Sequence, residues 1–194
     1  MIVIEIEPIV ITDDTITEDH ADNNMNAQLL CMALCLLGDT FGSLPTERLE
    51  LACEQAEHLI ETVEQYDIDP AVFAGLIFYE SRWRPEAISH SGACGLTQVL
   101  PRYADETCEE LMDPVTSISV GAEKLHGWSR MTIRENGERR RVPRPGGIRE
   151  ALACYNVGHA CLSSVRGRNY ADRILRYARH LDDKAAEIET CQEH

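Results

Sequence analysis

A glutamate, Glu80, closes an apolar run and is followed at once by Ser81, then by Ser89, the stretch Gly92-Ala93-Cys94-Gly95-Leu96-Thr97-Gln98, and Pro101. A carboxylic acid can donate a proton near neutral pH only where its surroundings disfavour the anion, and an apolar helix supplies such surroundings. The chemistry these residue types allow is therefore general acid and base catalysis, with proton transfer to a bridging oxygen. Farther along, Ala153-Cys154-Tyr155-Asn156-Val157-Gly158 brings a phenol and an amide to a glycine-permitted turn. Tyr155 is expected to hydrogen-bond the acid.

The elements that must position these groups are legible in the same way. Asp69-Pro70 pairs an acceptor side chain with a ring-locked φ, which predicts a helix start and a helix running to about Trp83. On it Phe73, Leu76, Ile77 and Glu80 recur at steps of three and four, placing the carboxylate on the core stripe and half-burying it. Ser81 points about 100° away around the helix and is expected to cap or pack. The stretch from Ile88 to Gly95 suits a tight loop whose backbone approaches a ligand, with the Gln98 amide just beyond it.

Met25 to Leu37 reads as a buried helix ending near Gly38, and residues 45 to 65 as one amphipathic helix with Leu49, Cys53, Ala56, Leu59, Ile60 and Val63 inward. Asp113-Pro114 opens another helix, carrying Ile118, Ala122 and Leu125 on one face. The last clear helix spans about Tyr170 to Leu181. Asn136-Gly137 between strand-tolerant residues predicts a small β-hairpin near 131–142. The β-branched segment Ile2 to Thr12, broken by Pro8, reads as extended strand.

These residues resemble the soluble, goose-lysozyme-like lytic transglycosylases. The resemblance runs through Glu80-Ser81, Pro85, Ala87, Ser89, Gly92-Ala93, Gly95-Leu96, Gln98, Pro101, Ala104, Ala153, Tyr155-Asn156, Gly158 and Tyr170-Ala171 with Ile174-Leu175, over roughly residues 45–182. It implies a mainly α, lysozyme-like (α+β) fold with the short N-terminal β segment and the hairpin added. The chain then divides into an acidic appendage with an apolar helix at 1–44, a catalytic domain at 45–182 and an acidic tail at 183–194. The resemblance also implies that Glu80 is the catalytic acid and base, with Tyr155 beside it, and that Ser89, Gln98, Asn156 and Tyr170 contact substrate. That substrate would be the glycan strand of peptidoglycan, cut between N-acetylmuramic acid and N-acetylglucosamine with formation of a 1,6-anhydro sugar.

A hydrolytic lysozyme on the same scaffold would need a second acid, for which Glu86 and Asp105 are the candidates. Glu106, Glu109 and Glu110 read as a solvated helix face. A third reading is a structural docking module that keeps the fold without the chemistry. Trp83 and Trp128 are expected in the core, and neither His90 nor His159 has a catalytic assignment.

A formal net charge of −15 argues against general nucleic-acid binding. The charge is uneven, with seven acids and no Lys or Arg in residues 1–24 and seven arginines against two glutamates in 130–149. No metal-ligand set or nucleotide loop is evident, so no cofactor is expected. The eight cysteines form no C-x-x-C pair; they read as buried thiols made in a reducing cytosol, with a disulfide at Cys154 or Cys161 as the alternative. No signal peptide or membrane span is visible. A wall-cutting enzyme of this kind is expected in a phage, carried in the virion or held in the host cytoplasm before release to the periplasm. The N-terminal segment would then anchor it to other virion proteins.

Overall fold

The computed structural model describes residues 25–130, 132–135, 138–141 and 147–192. The expected extended segment at 2–12 lies outside them. The protein is mainly helical, as the resemblance implied, and is built around one central helix. That helix, α5 (Pro70–Ser81), starts where Asp69-Pro70 places it: the Asp69 carboxylate accepts from the backbone N–H of Ala71 at 2.8 Å and of Val72 at 3.1 Å. Every residue from Ala71 to Phe78 is buried. The helix is thus enclosed around its whole circumference and not along one stripe, because neighbouring helices cover several of its sides.

The first neighbours precede it. Helix α1 (Ala27–Leu36) is capped by Asn26 and followed by the single turn α2 (Gly38–Phe41). The single helix expected over 45–65 is two, α3 (Thr46–Glu54) and α4 (Ala56–Gln65), parted at Gln55, with Ala56, Leu59, Ile60 and Val63 in the core. After α5 come a single 3₁₀ turn (Pro101–Tyr103), the short α6 (Cys108–Leu111) with a capping box between Thr107 and Glu110, and α7 (Pro114–Ser129). Helix α7 is capped by Asp113 and buries Ile118, Ala122 and Leu125. Strands β1 (Thr132–Glu135) and β2 (Glu138–Arg141) pair antiparallel with Thr132 opposite Arg141, which is the hairpin the Asn-Gly pair predicts.

Helix α8 (Gly147–Val157) then carries the Tyr-Asn pair and passes through a 3₁₀ segment (Gly158–Ser163) into α9 (Val165–Gln192). Helix α9 packs on α1, α5 and α8. It continues well past Leu181, and Ala185 and Ile188 are buried in the main core, so the acidic stretch is the exposed side of a packed helix. Gly75 is what lets α9 lie close to the central helix, since a Cβ there would meet the ring of Tyr177 at 3.2 Å and both Ile174 Cγ2 and its carbonyl at 3.3 Å. A second, small core of Cys94, Val99, Leu111 and Val120 sits under the loop that follows α5.

The cysteines correct the sequence reading. Three disulfides join Cys31 to Cys53, Cys94 to Cys108 and Cys154 to Cys161, with Cα separations of 4.8, 5.5 and 4.6 Å. Cys35 and Cys191 are free and exposed. Six cysteines are thus cross-linked and not thiols acting as small hydrophobes, which leaves the inference of a reducing cytosol without its basis. Spacing in the chain could not reveal these pairs, because each forms only when helices or loops converge. Cys94–Cys108 ties the Gly92–Gln98 loop to α6, and Cys154–Cys161 closes the end of α8 next to Tyr155.

Candidate active site

The acid lies in the last turn of α5. Glu80 is half-buried, and burial raises its carboxyl from the ordinary 4.5 to about 7; a hydrogen bond donated by the Tyr170 hydroxyl to its Oε1 favours the anion and offsets part of that rise. The phenol on the acid is therefore Tyr170 and not Tyr155, contrary to the sequence expectation. Tyr170 comes from α9, which Gly75 admits against α5, whereas Tyr155 on α8 gives its single proton elsewhere, to the carbonyl of Thr97 at 2.8 Å. Tyr155 is nonetheless close enough for the Glu80 charge to act on it. Burial first, and that charge second, push its ionisation well above the usual phenol range, and Tyr170 is shifted the same way by the same two causes. Both phenols are therefore protonated near neutral pH.

Ser81 behaves as expected, buried with its hydroxyl donating to the carbonyl of Ile77 at 3.3 Å. Immediately beyond, Arg82 and Trp83 both take positive φ, 52° and 57°, which turns the chain sharply away from the acid. Trp83 is fully buried, as expected of a core aromatic, and its indole N–H has no partner.

The loop that follows folds back on itself. Ser89 accepts from the backbone N–H of Ala93 at 3.0 Å, so its hydroxyl closes its own turn. Cys94 bridges both Ile88 and Val99. Gln98 sits at φ 53° and donates its amide to the carbonyls of Ala87 and Gly95, each at 2.9 Å. Its nitrogen therefore holds the loop shut, and the amide oxygen is the atom left to receive a ligand donor.

A cavity of about 640 Å³ opens beside this loop. Gln98, Tyr155 and Asn156 line it together with Tyr103, Trp128 and His159. Glu80 does not itself form the wall; Tyr155, on which its charge acts, does. The Asn156 Oδ1 is buried without a hydrogen-bond partner, which suits an acceptor waiting for a ligand hydroxyl or amide. Trp128 packs against the main core, as expected, and its partly buried ring also lines the cavity, edge-on to His159 at 5.3 Å. The periodicity of α7 could not separate these roles, because Trp128 stands in its last turn, where the core ends.

Of the carboxylates considered for a second acid, Glu86 and Asp105 are both exposed, and the Glu110 side chain is occupied in the capping box with Thr107. Sequence reasoning missed Glu123, which lines the cavity and pairs with Lys124 at 3.3 Å. It also missed Thr97 and Ser117, both fully buried and hydrogen-bonded to each other beneath the loop. Neither carried a signal in the sequence, since their burial appears only when the loop meets α7.

A membrane-bound lytic murein transglycosylase F from Alcanivorax borkumensis is 35% identical over 104 residues, which cover 53% of this chain and 21% of that protein. Proteins of the same name from Stutzerimonas stutzeri (34% over 110 residues; 55% and 21%) and Histophilus somni (32% over 101 residues; 52% and 20%) match similarly. The chain thus covers about a fifth of the length of these relatives. Among the described residues no helix is long and apolar enough to cross a membrane. The family model described as the transglycosylase SLT domain matches residues 57–177, a span that holds the acid helix, the loop, the Tyr-Asn pair and Tyr170, and the chain belongs to that family.

Proposed function

We propose that this protein is a peptidoglycan lytic transglycosylase. The observation that carries the reading is the Glu80 carboxyl, held protonated to about pH 7 by burial, bonded to the Tyr170 phenol, and with its charge acting on Tyr155 in the cavity wall. A group with that pKa can give a proton and take one back within a single cycle near neutral pH. Glu80 protonates the oxygen linking N-acetylmuramic acid to N-acetylglucosamine, and the C1–O bond breaks. The N-acetyl group of the muramoyl residue stabilises the positive charge left at C1. The carboxylate then removes the proton of the muramoyl C6 hydroxyl, whose oxygen closes on C1. The glycosidic bond is lost, the 1,6-anhydro bond is formed, and no water is consumed. One carboxylate suffices, in keeping with the exposure of Glu86 and Asp105. Asn156 Oδ1, which has no protein partner, and the Gln98 oxygen, whose amide nitrogen is already used, accept from sugar donors in this reading.

Mass spectrometry of muropeptides released from purified peptidoglycan tests this. Anhydro ends, about 20 Da below the corresponding reduced ends, are expected, since an intramolecular attack excludes water. Reducible ends would replace the reading by a hydrolase, for which Glu123 would join Glu86 and Asp105 as a candidate second acid.

We further propose a phage setting, with the acidic segment 1–24 anchoring the enzyme to other virion proteins. The three disulfides fit work in the periplasm, where such bonds persist. Immunodetection of the protein in purified particles, lost when residues 1–24 are removed, is the expected result; absence of the full chain from particles overturns virion carriage.

A further inference from the structure

The loop bearing Gln98 is not held by its own hydrogen bonds alone. Thr97, fully buried, donates its hydroxyl proton to the carbonyl of Ser117 at 2.8 Å, and its backbone N–H donates to Ser117 Oγ at 3.2 Å. The two hydroxyl oxygens are also 3.2 Å apart. Since the single Thr97 proton is committed to the carbonyl, Ser117 is the donor in that contact. The pair is closed on itself, with every proton placed, inside an apolar surround where such a network resists displacement.

The backbone is shaped to receive it. A Cβ on Gly121, one turn along α7 from Ser117, would fall 2.5 Å from Thr97 Cγ2 and 2.6 Å from both its Cβ and its Oγ1. A Cβ on Gly95 would fall 2.7 Å from Ser117 Oγ. Two glycines therefore clear the space into which Thr97 and Ser117 lock, one from the helix side and one from the loop side. Neither hydroxyl lines the cavity. The Thr97 carbonyl, fixed by this lock, is the acceptor of the Tyr155 hydroxyl at 2.8 Å, and Gln98 is the next residue.

We propose that Thr97 and Ser117 are positioning residues for the reaction, acting through Tyr155: the lock on α7 sets where the Thr97 carbonyl stands, and that carbonyl orients the phenol in the cavity wall. The inference rests on the acid–base reading of Glu80 above. Its logic is geometric, since a misplacement of about 1 Å in a group beside the reacting bond can cost up to about a hundredfold in rate.

Thr97→Val keeps the shape and removes the hydroxyl, whereas Thr97→Ser keeps the hydroxyl. Thr97→Val is expected to lower kcat for muropeptide release about tenfold or more with KM nearly unchanged, and Thr97→Ser to stay within about threefold of wild type. In a Tyr155→Phe background the Thr97→Val penalty should vanish, because both changes cut one path. Ser117→Ala, which leaves the Thr97 bond to the Ser117 carbonyl, serves if Thr97→Val does not fold, with a smaller fall of the same pattern. Unchanged kcat per folded molecule with only a lower Tm, or full additivity with Tyr155→Phe, overturns the proposal and makes the pair purely structural. The NMR ring resonances of Tyr155 give a readout free of turnover. If the wild type releases nothing, the enzymatic reading fails, and an unshifted Tyr155 in Thr97→Val would overturn the positioning link separately.

Discussion

Replacing Glu80 with glutamine is expected to reduce kcat for muropeptide release by about a thousandfold or more while leaving KM within about threefold, because the side chain gives up proton transfer in the transition state and little ground-state contact. The amide matches the carboxyl in size, and its oxygen still accepts the Tyr170 proton, so the site keeps its shape. Thermal stability gives an independent reading. Below about pH 4.5 the carboxyl is neutral in both the folded and the unfolded chain. Between pH 4.5 and about 7 the unfolded chain releases the proton while the folded protein retains it, so stability falls as pH rises. Above pH 7 both forms are ionised and the cost is constant, at roughly 3 kcal/mol for a shift of this size. The uncharged glutamine escapes it. Glu80→Gln should therefore melt roughly 5–10 °C above wild type at pH 8, with the difference shrinking towards pH 4. A variant that loses activity and gains stability only at high pH identifies a buried acid. A Tm equal to wild type at pH 8 would mean that Glu80 is solvated and its pKa ordinary.

Much of this site is written in local chemistry and could be read without a structure. Asp69-Pro70 starts α5 through interactions within three residues, and the phase of the helix then places Glu80 against the core. Asn136-Gly137 marks the hairpin for the same reason. The partner of the acid is a different matter. Tyr155 and Tyr170 are both phenols in a family-like context, and choosing between them depends on how α9 packs against α5, which is set by Gly75 and by the distant side chains of Ile174 and Tyr177. The residues were found and their bonding was not. Disulfides failed for a related cause: Cys94 and Cys108 look like spaced apolar residues until the loop and α6 meet. Helix α9 outran its expected end because Ala185 and Ile188 keep the 3.6-residue period among so many charges that composition reads as a tail. Thr97 and Ser117 carry no motif at all. Each is an ordinary polar residue, and only their mutual burial reveals a joint role.

Gly95 is where that hidden packing should weigh most on stability. At φ 79° an alanine is already strained by roughly 1–2 kcal/mol. Its Cβ would stand 1.8 Å from the carbonyl oxygen of Leu111 and 2.8 Å from the carbonyl carbon. Backbone cannot swing aside as a side chain does, so either the loop must lift from α6 and α7 or the second core of Cys94, Val99, Leu111 and Val120 must open. We expect Gly95→Ala to cost about 4 kcal/mol or more in urea unfolding, a large part of the 5–15 kcal/mol that holds a typical domain together. Gly158→Ala separates the two causes: at φ 67° it carries similar backbone strain but would meet nothing within 4 Å, so its cost should stay near 1–2 kcal/mol. Gly127→Ala, in α7 with open space around it and no positive φ, should stabilise by about 0.5–1 kcal/mol through the unfolded chain. If Gly95→Ala and Gly158→Ala cost the same, the loop is not seated against Leu111 and the close approach that sets Thr97 and Gln98 does not exist. A wide gap between them makes the missing Cβ of Gly95 a condition for the site, because the same contact that an alanine would break is the one that lets the loop reach Ser117 and present the Thr97 carbonyl to Tyr155.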